Sequence, residues 1–91
     1  MPYIKKEGKN GREGMDPLIQ PLIDHLKTMP QEEVDGVINY TVTKILKAVY
    51  PARYYHYNKA MGVLECIKQE FYRRIVASYE DKKILENGDV E

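Results

Sequence analysis

The sequence predicts an all-α protein: a small three-helix domain with a long C-terminal helix and a flexible N-terminal arm. Three observations carry that prediction. Apolar residues recur at i, i+3, i+4 spacing in residues 18–26 and again in 34–49. Residues 58–88 run without a proline and carry a third such stripe. Period-2 alternation is not sustained anywhere, although the β-branched run Val37 to Thr43 briefly suggests a strand.

Met1 to Met15 is read as the arm. Met-Pro-Tyr-Ile can lie extended and dock Tyr3 and Ile4 on the body. Lys5 to Gly14 mixes glycines with charges, the composition of a tether. Asp16-Pro17 then reads as a helix start, an N-cap followed by proline at the first helical position. Leu18, Ile19, Leu22, Ile23 and Leu26 form the stripe. Pro21 removes a backbone donor and predicts a kink or a late start. His25 sits at the stripe's edge, where a histidine is usually packed rather than catalytic. Thr28-Met29-Pro30 ends this helix.

Asp35 is the expected cap of a second helix running to Tyr50. Val34, Ile38, Val42, Ile45 and Val49 line its inner face, with Asn39, Tyr40, Thr43, Lys44 and Lys47 opposite. Pro51 breaks it. The link from Tyr50 to Asn58 concentrates four tyrosines with Arg53 and His56. Aromatic rings among bases can stack nucleobases, so Arg53, Tyr54, Tyr55, His56 and Lys59 form a candidate interaction surface. The simpler reading is a hinge whose rings cap a core.

The third helix is expected from the Asn58 N-cap to the Asn87-Gly88 stop, about 45 Å at roughly 1.5 Å per residue. A break near Ala77-Ser78 is the alternative. Ala60, Val63, Leu64, Ile67, Phe71, Tyr72, Ile75 and Tyr79 share one half of its wheel. Leu64, Ile67, Phe71 and Ile75 are the expected core anchors. A compact chain of this size is only on the order of 30 Å across. The helix therefore outruns its own globule, and a second copy is the simplest cover. Gly62, Cys66, Gln69, Arg73 and Ala77 line the opposite side, a candidate dimer seam. Arg74 borders the apolar half with Glu70 four residues before it, so its stem is expected to pack. Arg73 is expected to point outward. Residues 16–88 thus make one helical domain, and 89–91 a loose tail.

Composition sets the outer bounds. The 91 residues allow one small and marginal domain. Fourteen basic and fourteen acidic residues leave no net charge, and so no bulk drive toward nucleic acid or anionic lipid. Eight Tyr and one Phe, with no Trp, suit half-buried or interfacial surfaces. The single cysteine, Cys66, excludes an internal disulfide and a multi-cysteine zinc site, and it fits a reducing cytoplasm. No secretion signal and no run apolar enough to span a bilayer is found. No Gly-rich phosphate loop, GxSxG, HExxH or metal-spaced His/Cys set occurs. No catalytic, cofactor or metal residue is assigned.

Several segments carry a resemblance: the opening Met-Pro-Tyr-Ile-Lys, Asp16-Pro-Leu-Ile19 and Asn39-Tyr40. To these add Gly62-Val-Leu-Glu-Cys66, Glu70-Phe-Tyr-Arg-Arg74, Tyr79-Glu-Asp-Lys-Lys83 and Glu86-Asn-Gly-Asp-Val90. Together the chain resembles a family of small, uncharacterised microbial and phage-associated proteins, known as a domain of unknown function. It departs at Lys9 to Gly14, where the tether is longer, and at Pro21. The resemblance implies a prokaryotic or viral intracellular protein. It transfers no activity and no functional residue. The leading expectation is a non-enzymatic homodimer, an interaction or structural protein. Nucleic-acid binding through the Tyr-rich link is second, and a small-ligand enzyme third.

Overall fold

A computed structural model describes residues 4–90. All regular structure among them is helical, as expected. Helix α1 is Arg12–Lys27 and α2 is Gln31–Val49. Helix α3 is Tyr54–Phe71, a π-helical turn follows at Tyr72–Val76, and α4 is Ala77–Asn87. These last three run on as one rod of roughly 50 Å. The chain divides into two compact units, Met1–Val49 and Tyr50–Glu91.

In the first unit α1 begins four residues ahead of Asp16, because the loop before it supplies the cap. The first amides of a helix have no partner inside it. Here Arg12 N–H donates to the Lys5 carbonyl at 2.9 Å, Glu13 to Lys6 at 3.1 Å and Gly14 to Gly8 at 3.2 Å. The folded-back loop tolerates no side chain at two points. A Cβ on Gly11 would strike the Glu7 carbonyl, and one on Gly14 the Lys9 backbone. Gly8, with φ +93°, turns the loop through the left-handed region. The expected docking of Tyr3 lies outside the described residues. Helix α1 then continues through both Pro17 and Pro21. It stops at Thr28, whose hydroxyl donates to the His25 carbonyl at 2.6 Å.

Helix α2 starts directly after Pro30, also four residues ahead of its expected cap, Asp35. Glu32 and Glu33, not Asp35, sit in its first turn and oppose the helix dipole. It ends before Pro51, as the sequence indicates.

In the second unit α3 begins at Tyr54 on an extended Arg53 N-cap (φ −141°, ψ 148°), four residues ahead of Asn58. The Tyr-rich link is therefore mostly first-turn helix, the alternative to a hinge that the sequence also allows from Tyr54 or Tyr55 onward. No break occurs at Ala77-Ser78. Instead the amide of Ala77 bonds the carbonyl of Tyr72, an i→i+5 bond that closes the π turn. Gly88 ends the rod with φ +87°, its amide on the Ile84 carbonyl at 2.8 Å.

The expected core anchors require a correction. Ala60 is the one buried apolar side chain among the described residues. Leu64 is half-buried, while Ile67 is 54% exposed, Phe71 60% and Ile75 56%. These side chains do not anchor a core within the 54–87 rod itself. The reason is geometric: a single rod cannot cover its own stripe, whatever the stripe's composition.

Candidate functional site

The uncovered stripe of the 54–87 rod is the candidate site, and the π turn shapes it. In an α-helix each step of four residues drifts by about 40° around the axis. From Ile67 through Phe71 and Ile75 to Tyr79 the drift would reach about 120° and carry Tyr79 to the flank. A π turn holds one extra residue, which sets every later side chain back by about 100°. Tyr79 thereby returns into line with Ile67 and Phe71, and Ile75, inside the turn, is set back part of the way.

The same correction explains a contact that a plain α-helix would not make. Tyr72 Oη donates to Glu80 Oε1 at 2.8 Å across eight residues. In an α-helix those positions stand about 80° apart; the π turn brings them onto one side. That hydrogen bond first, and then the negative charge of Glu80, raise the Tyr72 phenol above its ordinary value.

The opposite side of the rod is polar and tied to itself. Arg73 Nη2 holds both carboxylate oxygens of Glu70 at 3.0 Å, and Arg74 Nη1 approaches the same carboxylate at 3.5 Å. The two arginine side chains are 64% and 59% exposed. Arg73 points outward and Arg74 meets Glu70 four residues before it, as expected, but the expectation that the Arg74 stem packs is corrected. Both sit three or four residues from one glutamate, within reach of it. Gln69 donates to Glu65 at 3.0 Å, Cys66 is exposed and free, and Gly62 faces open space. Ala77 is half-buried. Of the candidate seam Gly62, Cys66, Gln69, Arg73 and Ala77, two members are already engaged with neighbouring glutamates.

The Tyr-rich segment is presented rather than packed. Tyr54 is 79% exposed and Tyr55 68%. One edge of Tyr55 meets His56 in a T-shaped contact at 5.2 Å, and the Lys59 ammonium lies 5.6 Å from its ring centre. Two further pairings repeat it. Lys44 lies 5.5 Å from the Tyr40 ring and Lys83 5.5 Å from the Tyr79 ring. All three follow Tyr-x-x-x-Lys, a spacing that stacks the lysine one turn beyond the tyrosine. The repeat is present in the sequence, but helical periodicity of apolar residues alone does not bring it out.

Charge is a second signal that the totals conceal. Residues 36–64 contain no Asp or Glu, yet carry Lys44, Lys47, Arg53 and Lys59. Residues 80–91 hold five acidic residues against two basic. Neutrality overall is a cancellation between segments. On α2 the basic residues Lys44 and Lys47, with Tyr40 and Thr43, line a shallow open depression. His25 is exposed. No cluster of three His, Cys, Asp or Glu residues able to hold a metal occurs among the described residues. No helix among them is long and apolar enough to cross a membrane.

A family model described as "Domain of unknown function (DUF6899)" matches residues 1–90. Comparison with curated proteins and with solved structures gives no match.

Proposed function

Since the chain belongs to this family of unknown function, we propose that it is a non-enzymatic structural or interaction protein that works as a homo-oligomer, most simply a dimer. The observation that carries this reading is the uncovered stripe of the 54–87 rod. Its exposed apolar members include Ile67, Phe71, Ile75 and Tyr79. A cytoplasmic setting in a prokaryote or an infected cell accords with this, since the exposed Cys66 thiol persists unpaired in a reducing compartment. Size exclusion with light scattering at micromolar concentration should give about twice the chain mass. A clean monomer mass overturns the reading.

A second reading is nucleic-acid binding through Arg53, Tyr54, Tyr55, His56 and Lys59. It is favoured by the exposed rings of Tyr54 and Tyr55 and by the acid-free stretch that contains them. It ranks lower because Lys59 already lies against the Tyr55 ring, leaving less of it for stacking. Fluorescence anisotropy with single- and double-stranded oligonucleotides at about 150 mM salt should show nothing tighter than the non-specific range of roughly 10⁻⁴–10⁻⁶ M. Sub-micromolar binding lost on Arg53→Ala would promote this reading over the first.

A further inference from the structure

We infer that two copies pair antiparallel along the 54–87 rod, with Leu64, Ile67, Phe71 and Ile75 as the shared seam and the π turn setting its register. This rests on the homo-oligomer reading and adds orientation, register and contact residues to it.

The first argument is spacing. From Leu64 the seam steps by three to Ile67 and by four to Phe71. The next step, to Ile75, counts four residues but runs inside the wider π turn, so it advances the seam about as three do in an α-helix. Three, four, three reads the same in both directions. In an antiparallel pair a two-fold axis sets residue i level with residue j and j level with i. A seam with reversible spacing is thus complementary to itself. With the axis at Gln69, Ile67 comes level with Phe71 of the second copy, and Leu64 with Ile75 once the extra residue of the π turn is counted. Each layer joins two branched or aromatic side chains of different shape, the condition for interdigitation. A parallel pair in register would instead set every residue against itself, crowding Phe71 on Phe71. Without the π turn, Ile75 would stand about 60° off the seam and the reversible spacing would be lost.

The second argument is charge. The same register brings Glu80 level with Lys59 of the second copy, and Glu86 level with Arg53. The acidic end of one rod lies beside the acid-free start of the other at both ends of the pair, and the two helix dipoles oppose. A parallel pair places both acidic ends together. Other antiparallel registers do worse. Shifting by half a heptad toward the C-terminus sets Glu65 level with Asp81 and Arg73 level with itself. The opposite shift sets Arg73 level with Lys59.

The occupant is a second copy, because the pattern that fits the seam is the seam's own reverse. Pulsed electron paramagnetic resonance on the full chain tests it, with light scattering on each sample. A spin label on the native Cys66 should report a distance of about two helix widths, roughly 20–25 Å, because that position lies only three residues along the rod from the axis although on the outer side. A label on Glu86→Cys in a Cys66→Ser chain should report roughly 45 Å or more, since the two copies of residue 86 then sit at opposite ends. A dimer with short distances at both sites is parallel and overturns the inference while leaving the homo-oligomer reading intact. A dimer with long distances at both sites puts the contact elsewhere and does the same. A monomer overturns both.

Discussion

The loop ahead of α1 and the rod from Tyr54 to Asn87 satisfy their polar backbone equally well and their side chains very differently. In the loop the carbonyls of Lys5, Lys6 and Gly8 take up the first amides of α1, and Gly11 and Gly14 let the backbones touch. Nothing there asks for a partner. In the rod every turn is hydrogen-bonded, yet Ile67, Phe71 and Ile75 remain mostly in water. Hydrogen bonding closes a segment locally. Apolar coverage needs a second surface, and a single rod has none.

The largest expected effect tests the open side of that contrast. If Phe71 lies in a seam between copies, Phe71→Ala should weaken the dimer by about 3 kcal/mol, roughly a hundredfold in dissociation constant. Sedimentation or light scattering across a dilution series reads it directly. A change below about 1 kcal/mol would show that the stripe is not the contact.

The closed side predicts a smaller and different loss. Gly14→Ala forces a Cβ against the Lys9 backbone, and overpacking of this kind costs about 1–3 kcal/mol. Because the clash lies within one copy, dimer mass at saturating concentration should stay unchanged while the denaturation midpoint falls. Loss of dimer from Gly14→Ala comparable to that from Phe71→Ala would erase the distinction between the two regions.

How much was legible divides along the same line. Helix number, the Pro51 break and the Gly88 stop follow from local rules of proline, glycine and periodicity, and all three appear in the structure. The side-chain caps each lie four residues past the first residue of the observed helix. Asp16, Asp35 and Asn58 are good caps in isolation, but α1 took its cap from backbone carbonyls of a loop, α2 began on Pro30, and α3 began directly on Arg53. A side-chain rule does not see backbone caps. The stripe was legible; its lack of cover was not, because wheel position states which face is apolar and not what lies against it. The π turn left no mark in residue type. Its only trace is the seam itself, which drifts off line at Ile75 and Tyr79 unless one residue is added.

The smallest expected effect lies inside that π turn. Tyr72 and Glu80 meet only if the turn adds its extra residue, so their contact reports on the turn directly. The phenol donates to Glu80 at 2.8 Å, and this bond with the Glu80 charge raises its pKa. The folded chain thus holds the proton more tightly than the unfolded chain, whose tyrosines titrate near about 10. The contribution to stability is fully present below that value and is lost as pH rises through the folded one. It leaves neutral solution unaffected. Ultraviolet titration of the phenolates should show one tyrosine ionising later than the rest. Tyr72→Phe should remove that late component, and Glu80→Gln should move it back toward the others, since a neutral amide still accepts the bond but carries no charge. If Glu80→Gln leaves the profile unmoved, the two side chains do not meet. The π turn would then be absent in solution, Ile75 would leave the seam, and the rod would lose the one feature that makes its stripe complementary to itself.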